Sequence, residues 1–188
     1  MRPSRPAAVD TRLGVATRRL RRPAALLLVA AFALGAAGPR RDRSCTAAEH
    51  RQFDFFVGNW LVADRSRRVL GTATVTKEYG GCVSIEKWRG VGDADEGLGV
   101  AGYRPESRSW HRDFADETGF VLALDGRWDG TAMVMAGTDY HDRDHTRAHR
   151  ISWTPRSDGS VEQRWQTSID GGRSWRVHLD RVFRRIAE

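Results

Sequence analysis

The chain has 188 residues, a formal net charge of +7 and a pI near 10.3, a balance that would ordinarily point to an anionic partner such as nucleic acid. Ten of the 31 Lys and Arg residues, but only two of the 24 Asp and Glu residues, fall within residues 1–43, so the rest of the chain holds 21 basic against 22 acidic side chains. The basicity belongs to the amino-terminal segment, and no nucleic-acid partner is expected for the remainder.

That segment contains the apolar run Ala24 to Leu34, preceded by arginines and closed by Gly35-Ala36-Ala37-Gly38. At about 15 residues with those closing small residues included, and ~1.5 Å rise per residue, it falls short of a ~30 Å hydrocarbon core. It reads as a secretory signal peptide over 1–38, followed by a flexible linker over 39–45 and one domain over 46–188. The expectation is an exported protein, periplasmic or extracellular, with no stable membrane span after cleavage. Asp42-Arg43-Ser44 before Cys45 lacks the small and apolar residues of a lipobox. Cys45 and Cys82 are the only cysteines. In an oxidising compartment they could close a disulfide loop of roughly 38 residues, worth roughly 3–4 kcal/mol. A buried free Cys82 is the alternative.

Thr46-Ala47-Ala48-Glu49 has the form of a capping box, so a short helix is expected to run to about Phe56. It would carry Phe53 and Phe56 on one face. Beyond Gly58 the period changes to two. Strands are expected near 59–66, 69–79, 82–91, 98–104, 109–116, 119–125, 130–138, 147–154, 160–169 and 174–185. Turn chemistry separates them at Gly80-Gly81, Pro105-Glu106-Ser107, Asp125-Gly126, Asp129-Gly130, Asp158-Gly159 and Gly171-Gly172. Short connections make neighbours antiparallel, and ten of them in order form an up-and-down meander that closes to remove its edges.

That topology has consequences at one end, called here the bottom. The turn after strand two lies there, so Cys82 falls on the same side as Cys45, which favours the disulfide. Strand ten also ends there, bringing Arg185 within reach of Trp60 for a guanidinium–indole stack of about 0.5–2 kcal/mol.

Gly58-Asn59-Trp60 entering the first strand is similar to the opening of lipocalin-like barrels, in which the tryptophan plugs the closed end. More broadly, the chain resembles a family of exported bacterial proteins known only as a domain of unknown function. Gln52-Phe53-Asp54-Phe55-Phe56-Val57-Gly58-Asn59-Trp60 and Gly80-Gly81-Cys82-Val83 carry the resemblance, with Glu86, Trp88, Tyr103-Arg104-Pro105 and Trp110. Ile151 to Pro155, Gln166-Thr167-Ser168, Asp170-Gly171-Gly172 and Arg184-Arg185 continue it. The resemblance implies a lipocalin-like barrel without an assigned activity. This chain departs from that pattern with Phe56 in place of Trp and Arg112 in place of an amide. Locally, Ser168-x-Asp170-x-Gly172-x-Ser174-Trp175 resembles the Asp-box hairpin, whose side chains brace a turn.

Parity assigns inward faces. Trp110, Arg112 and Phe114 share one, as do His149, Ile151 and Trp153. Val161, Gln163, Trp165 and Thr167 share another, and Trp175, Val177, Leu179 and Phe183 a fourth. On strand three either Cys82, Ser84, Glu86 and Trp88 face in, or Val83 and Ile85 do, since a one-residue slip exchanges the sets. The resulting lumen is aromatic with sparse polar groups, the composition of a small-ligand pocket. Glu86, Trp88, Arg112, Phe114 and Trp165 are the candidate ligand-binding residues. Glu86 and Arg112 either pair with each other or leave Arg112 to meet an anionic head group. The partner expected is a small apolar or amphipathic ligand. A lumenal acid/base enzyme using Glu86 and Arg112, and a ligand-free envelope protein with a filled core, are the alternatives.

Other constellations carry less. His141-x3-His145-x3-His149, with Asp142 and Asp144, has metal-like spacing, but on a loop entering a strand that spacing does not align the rings. His111 and Asp113 lack a serine partner, so no hydrolytic triad is expected. His178-Leu179 before Phe183-Arg184-Arg185 resembles the last strand of nitrobindin-type haem barrels, yet parity sets His178 opposite Leu179 and turns it outward. No cofactor and no metal are expected. Nothing in the residues specifies an oligomeric state.

Overall fold

The structure is a computed structural model and describes residues 45–92, 95–140 and 145–186. The signal peptide read over 1–38 and the linker up to Ser44 lie outside these residues. Ten strands follow two short 3-10 turns, Ala48–Arg51 and Asp54–Phe56. They are β1 (Gly58–Ala63), β2 (Val69–Glu78), β3 (Val83–Gly90), β4 (Glu96–Arg104) and β5 (Ser109–Asp116), then β6 (Val121–Trp128), β7 (Met133–Tyr140), β8 (Thr146–Pro155), β9 (Val161–Ser168) and β10 (Arg176–Arg185). Each pairs antiparallel with its sequence neighbour, and β1 pairs with β10 to close the barrel. This is an all-β, lipocalin-like, up-and-down architecture.

Period-two patterning drives it. In β2, Gly71, Ala73 and Val75 are buried while Thr72, Thr74 and Thr76 are exposed, which suits a pleated wall with one dry face. On β3 the buried set is Ser84, Glu86 and Trp88, which resolves the register of that strand. Closure is set by Trp60 opposite Arg185 and Val62 opposite Phe183, and is continued by the Ile186 amide donating to the Asn59 carbonyl at 3.0 Å.

The bottom is solid. Phe53 stacks on Phe56 with centroids 5.4 Å apart and meets Trp153 edge-on at 5.5 Å, while Phe56 meets Phe183 at 5.1 Å. Such pairs contribute about 0.5–1.5 kcal/mol each beyond the area they bury. The Trp60 indole donates to the Phe56 carbonyl at 2.9 Å, and the Trp110 indole to Gln52 at 3.2 Å. Arg185 lies 4.4 Å over the Trp60 ring and donates to the Val57 carbonyl at 3.0 Å. Gly58 permits this: its φ of +143° is a conformation side chains rarely adopt, and an added Cβ would overlap the guanidinium.

Cys45 and Cys82 are bonded, with Cα atoms 4.8 Å apart, and the Cys45 amide donates to the Gly80 carbonyl. Lys77 donates to the His50 carbonyl and to Asp54 at 2.7 and 2.8 Å. These ties fasten the plug to the end of β2.

Three expectations need correction. The single helix after Thr46 is instead two 3-10 turns, and the first starts after Ala47 with no side-chain cap. The disulfide and the Lys77 contacts hold this segment against the barrel end, and it breaks at Phe53 so that both phenyl rings enter the core. Asp125-Gly126 is not a turn but lies inside β6, where Gly126 opposes Met135. The turn is at Asp129, whose carboxylate accepts from the Thr131 and Ala132 amides at 2.8 Å. Trp175 and Val177 do not share the inward face of Leu179 and Phe183, because a bulge between Val177 and Leu179 reverses parity. Val177 is exposed, and Trp175 packs in the Asp-box turn, donating to the Gly172 carbonyl, with Arg150 4.5 Å over its ring. The same bulge brings the His178 ring against the inward Trp165 at 4.9 Å, although His178 stays exposed.

Candidate functional site

Above the plug the inward side chains change character. Glu86 and Arg112 form a buried ion pair, each residue 4% exposed, with Nη2 and Oε2 2.5 Å apart. They stand on β3 and β5 with β4 between them. The bridge crosses at Gly99, which is opposite both Glu86 and Phe114 and has no side chain to block the way; a Cβ there would overlap the guanidinium. Trp153 and Phe114 flank that guanidinium at 5.5 and 5.9 Å. Trp88 and Phe114 lie against the wall over Gly71 and Gly97, as Arg112 does over Gly99. Of the candidate residues, then, Glu86, Trp88, Arg112, Phe114 and Trp165 all face inward, and Glu86 and Arg112 satisfy each other.

Nearer the mouth, β7, β8 and β9 contribute a hydrogen-bonded chain. The Trp165 indole donates to His149 Nδ1 at 2.8 Å, and His149 Nε2 donates to Asp139 at 2.8 Å. The indole has only a proton to give, so Nδ1 accepts and the proton sits on Nε2. Arg147 also holds Asp139, through Nε at 3.0 Å and through Nη2. Burial raises the Asp139 carboxyl, but hydrogen bonds from Arg147 and His149 outweigh it and leave it below the ordinary carboxylate range. Phe120 packs on Trp165 at 6.0 Å. Burial, reinforced by the charges of Arg147 and Arg181, holds the His178 imidazole below its ordinary range.

His149 is thus committed at both ring nitrogens and is not a free ligand for the loop histidines. His141, Asp142 and Asp144 lie outside the described residues. Among the described residues no group of three or more His, Cys, Asp or Glu side chains could hold a metal ion. His111 bonds Asp125 and Asp113 on the outer wall.

Arg181 is the site residue that sequence reasoning misses. It lies 4.4 Å over Trp88, opposite Gln163, and faces the lumen between Leu179 and Phe183. The parity that turns those two inward applies to it equally; its charge conceals it in an arginine-rich strand. Burial holds its guanidinium below the ordinary arginine range, with Glu86 and Asp95 opposing.

An open groove of about 710 Å³ lies over β2 to β5, and its lining includes Thr72, Thr74, Lys87 and Arg89 with Trp88. Glu86, Arg112, Phe114 and Trp165 are not part of that lining. No protein-family model and no curated protein matches this chain.

Proposed function

We propose that this chain is an exported barrel that binds a small, largely apolar or amphipathic ligand in the upper half of its lumen. The division of the interior supports this reading most. A solid aromatic plug seals one end, while toward the other Trp88, Phe114 and Trp165 stand beside a few buried polar groups. An apolar wall with sparse orienting groups is the usual chemistry of a small-molecule site. Trp88, Phe114 and Trp165 would supply the wall, and the Glu86–Arg112 pair would orient a polar end of the guest. Export is supported by the disulfide, which suits an oxidising compartment. It is also consistent with the described residues containing no helix long and apolar enough to cross a membrane.

The dense lower half favours a second reading, a structural envelope protein with no ligand. Native mass spectrometry of protein purified from its own host distinguishes the two. A bound species of defined mass, released on denaturation, is the expected result. Bare protein from several preparations, together with no binding of a broad amphiphile set, would leave the structural reading in place.

A further inference from the structure

Three of the five buried side-chain polar atoms without a hydrogen-bond partner among the described residues belong to adjacent strands: Trp153 Nε1 on β8, Gln163 Oε1 on β9 and Arg181 Nε on β10. The register makes them a row, since Trp153 is opposite Gln163 and Gln163 is opposite Arg181. Side chains paired in this way have Cβ atoms about 4.5–5.5 Å apart. Trp153 and Gln163 are 1% and 8% exposed. Buried polar atoms in folded proteins nearly always find partners, and an unmet one costs about 1–3 kcal/mol. Three together mark a place built to meet a guest.

The charges say which kind. Among the described residues three arginines face inward above the plug, of which Arg112 is paired with Glu86 and Arg147 with Asp139. Arg181 enters no ion pair among the described residues, and its guanidinium is positioned by stacking on Trp88. The row itself carries one positive charge, on which the Glu86 and Asp95 carboxylates act without forming an ion pair with it. The Gln163 amide can turn over to present its NH2 in place of Oε1. That gives N–H groups from three side chains and a single charge, which matches a planar monoanion. A dianion would retain an uncompensated charge in a buried site.

We infer that Trp153, Gln163 and Arg181 recognise the carboxylate of an amphipathic monoacid, whose apolar body runs toward the mouth past Trp88 and Trp165. This rests on the ligand-binding reading above and specifies its substrate class. Arg112 is already neutralised by Glu86, so that pair can orient the guest's polar end by hydrogen bonding while the charge that meets the carboxylate comes from Arg181.

The test is calorimetric titration of the full barrel with octanoate and with octan-1-ol, which share a chain and differ in charge. The expected result is octanoate binding at least about tenfold tighter, as a charge-assisted contact requires. Arg181→Leu should bring octanoate down to the level of octan-1-ol and leave the alcohol unchanged. Gln163→Leu offers a second route: it should raise the melting temperature by removing an unmet buried amide, yet weaken octanoate several-fold. Equal binding of acid and alcohol by the natural chain would overturn the carboxylate assignment while leaving a ligand-binding barrel. Unchanged octanoate affinity in both variants would do the same. If neither compound nor any amphiphile of other chain length binds, the ligand-binding reading itself falls, and this inference with it.

Discussion

Around the closed end, Phe53, Phe56, Trp60, Trp110 and Phe183 are at most 2% exposed and pack ring on ring. Around the open end each large ring is beside a charged or polar group: Trp88 beneath Arg181, Phe114 beside Arg112, and Trp165 bonded to His149. Both ends use aromatic bulk, but at the closed end the rings pack chiefly on one another, with Arg185 stacked on Trp60. Its indoles at Trp60 and Trp110 donate to the plug itself, whereas Trp153, where the two regions meet, has an N–H with no partner among the described residues. The closed end is packed ring on ring, whereas above it charged and polar side chains stand among the rings.

The largest effect that could break this contrast is at the plug. Trp60→Ala removes a fully buried indole and the surface on which Arg185 stacks, and should destabilise the barrel by about 3–5 kcal/mol in denaturant titration. A loss under about 1 kcal/mol would mean that the closed end is not where the fold is secured.

The Glu86–Arg112 pair sharpens the comparison next. Glu86→Leu alone strands a buried guanidinium and should cost about 3 kcal/mol or more, while Glu86→Leu with Arg112→Met should return to within about 1 kcal/mol of the natural chain. Additive losses in the double variant would show that the two side chains do not act as a unit.

The smallest effect is at the mouth and depends on pH. His178 is held neutral in the fold, so the unfolded chain takes up its proton first as the pH drops through about 6.5, and stability begins to fall there. Asp139, held ionised, contributes stability that is present above about pH 3.9 and is lost as the pH falls through its lower folded value. Melting temperatures from pH 8 to 3 should show both losses in the natural chain, and His178→Gln should remove only the first. Superimposable curves would place the His178 ring outside the charged cluster.

Much of this was legible in the sequence. Period-two segments defined a closed ten-stranded meander, and topology placed Cys82 by Cys45 and Arg185 by Trp60. Glu86 meeting Arg112 was visible as one of two options, because like-facing charges on nearby strands must either pair or find an outside partner. The failures have specific causes. Asp125-Gly126 and Asp129-Gly130 are the same dipeptide, and only the packing of Gly126 against Met135 decides which one turns. A single bulge in β10 reversed the assignments of Trp175 and Val177, and nothing in the local residues announces it. Arg181 obeyed the parity rule but not the habit of reading arginine as surface.

The most direct measurement uses the seven tryptophans as reporters, through their indole N–H signals in a nitrogen-edited NMR spectrum during octanoate titration. The Trp88, Trp153 and Trp165 signals should move together while Trp60, Trp110 and Trp175 stay in place. Shifts at Trp60 or Trp110, or a saturating titration in which no upper-lumen indole moves, would contradict binding in the upper lumen.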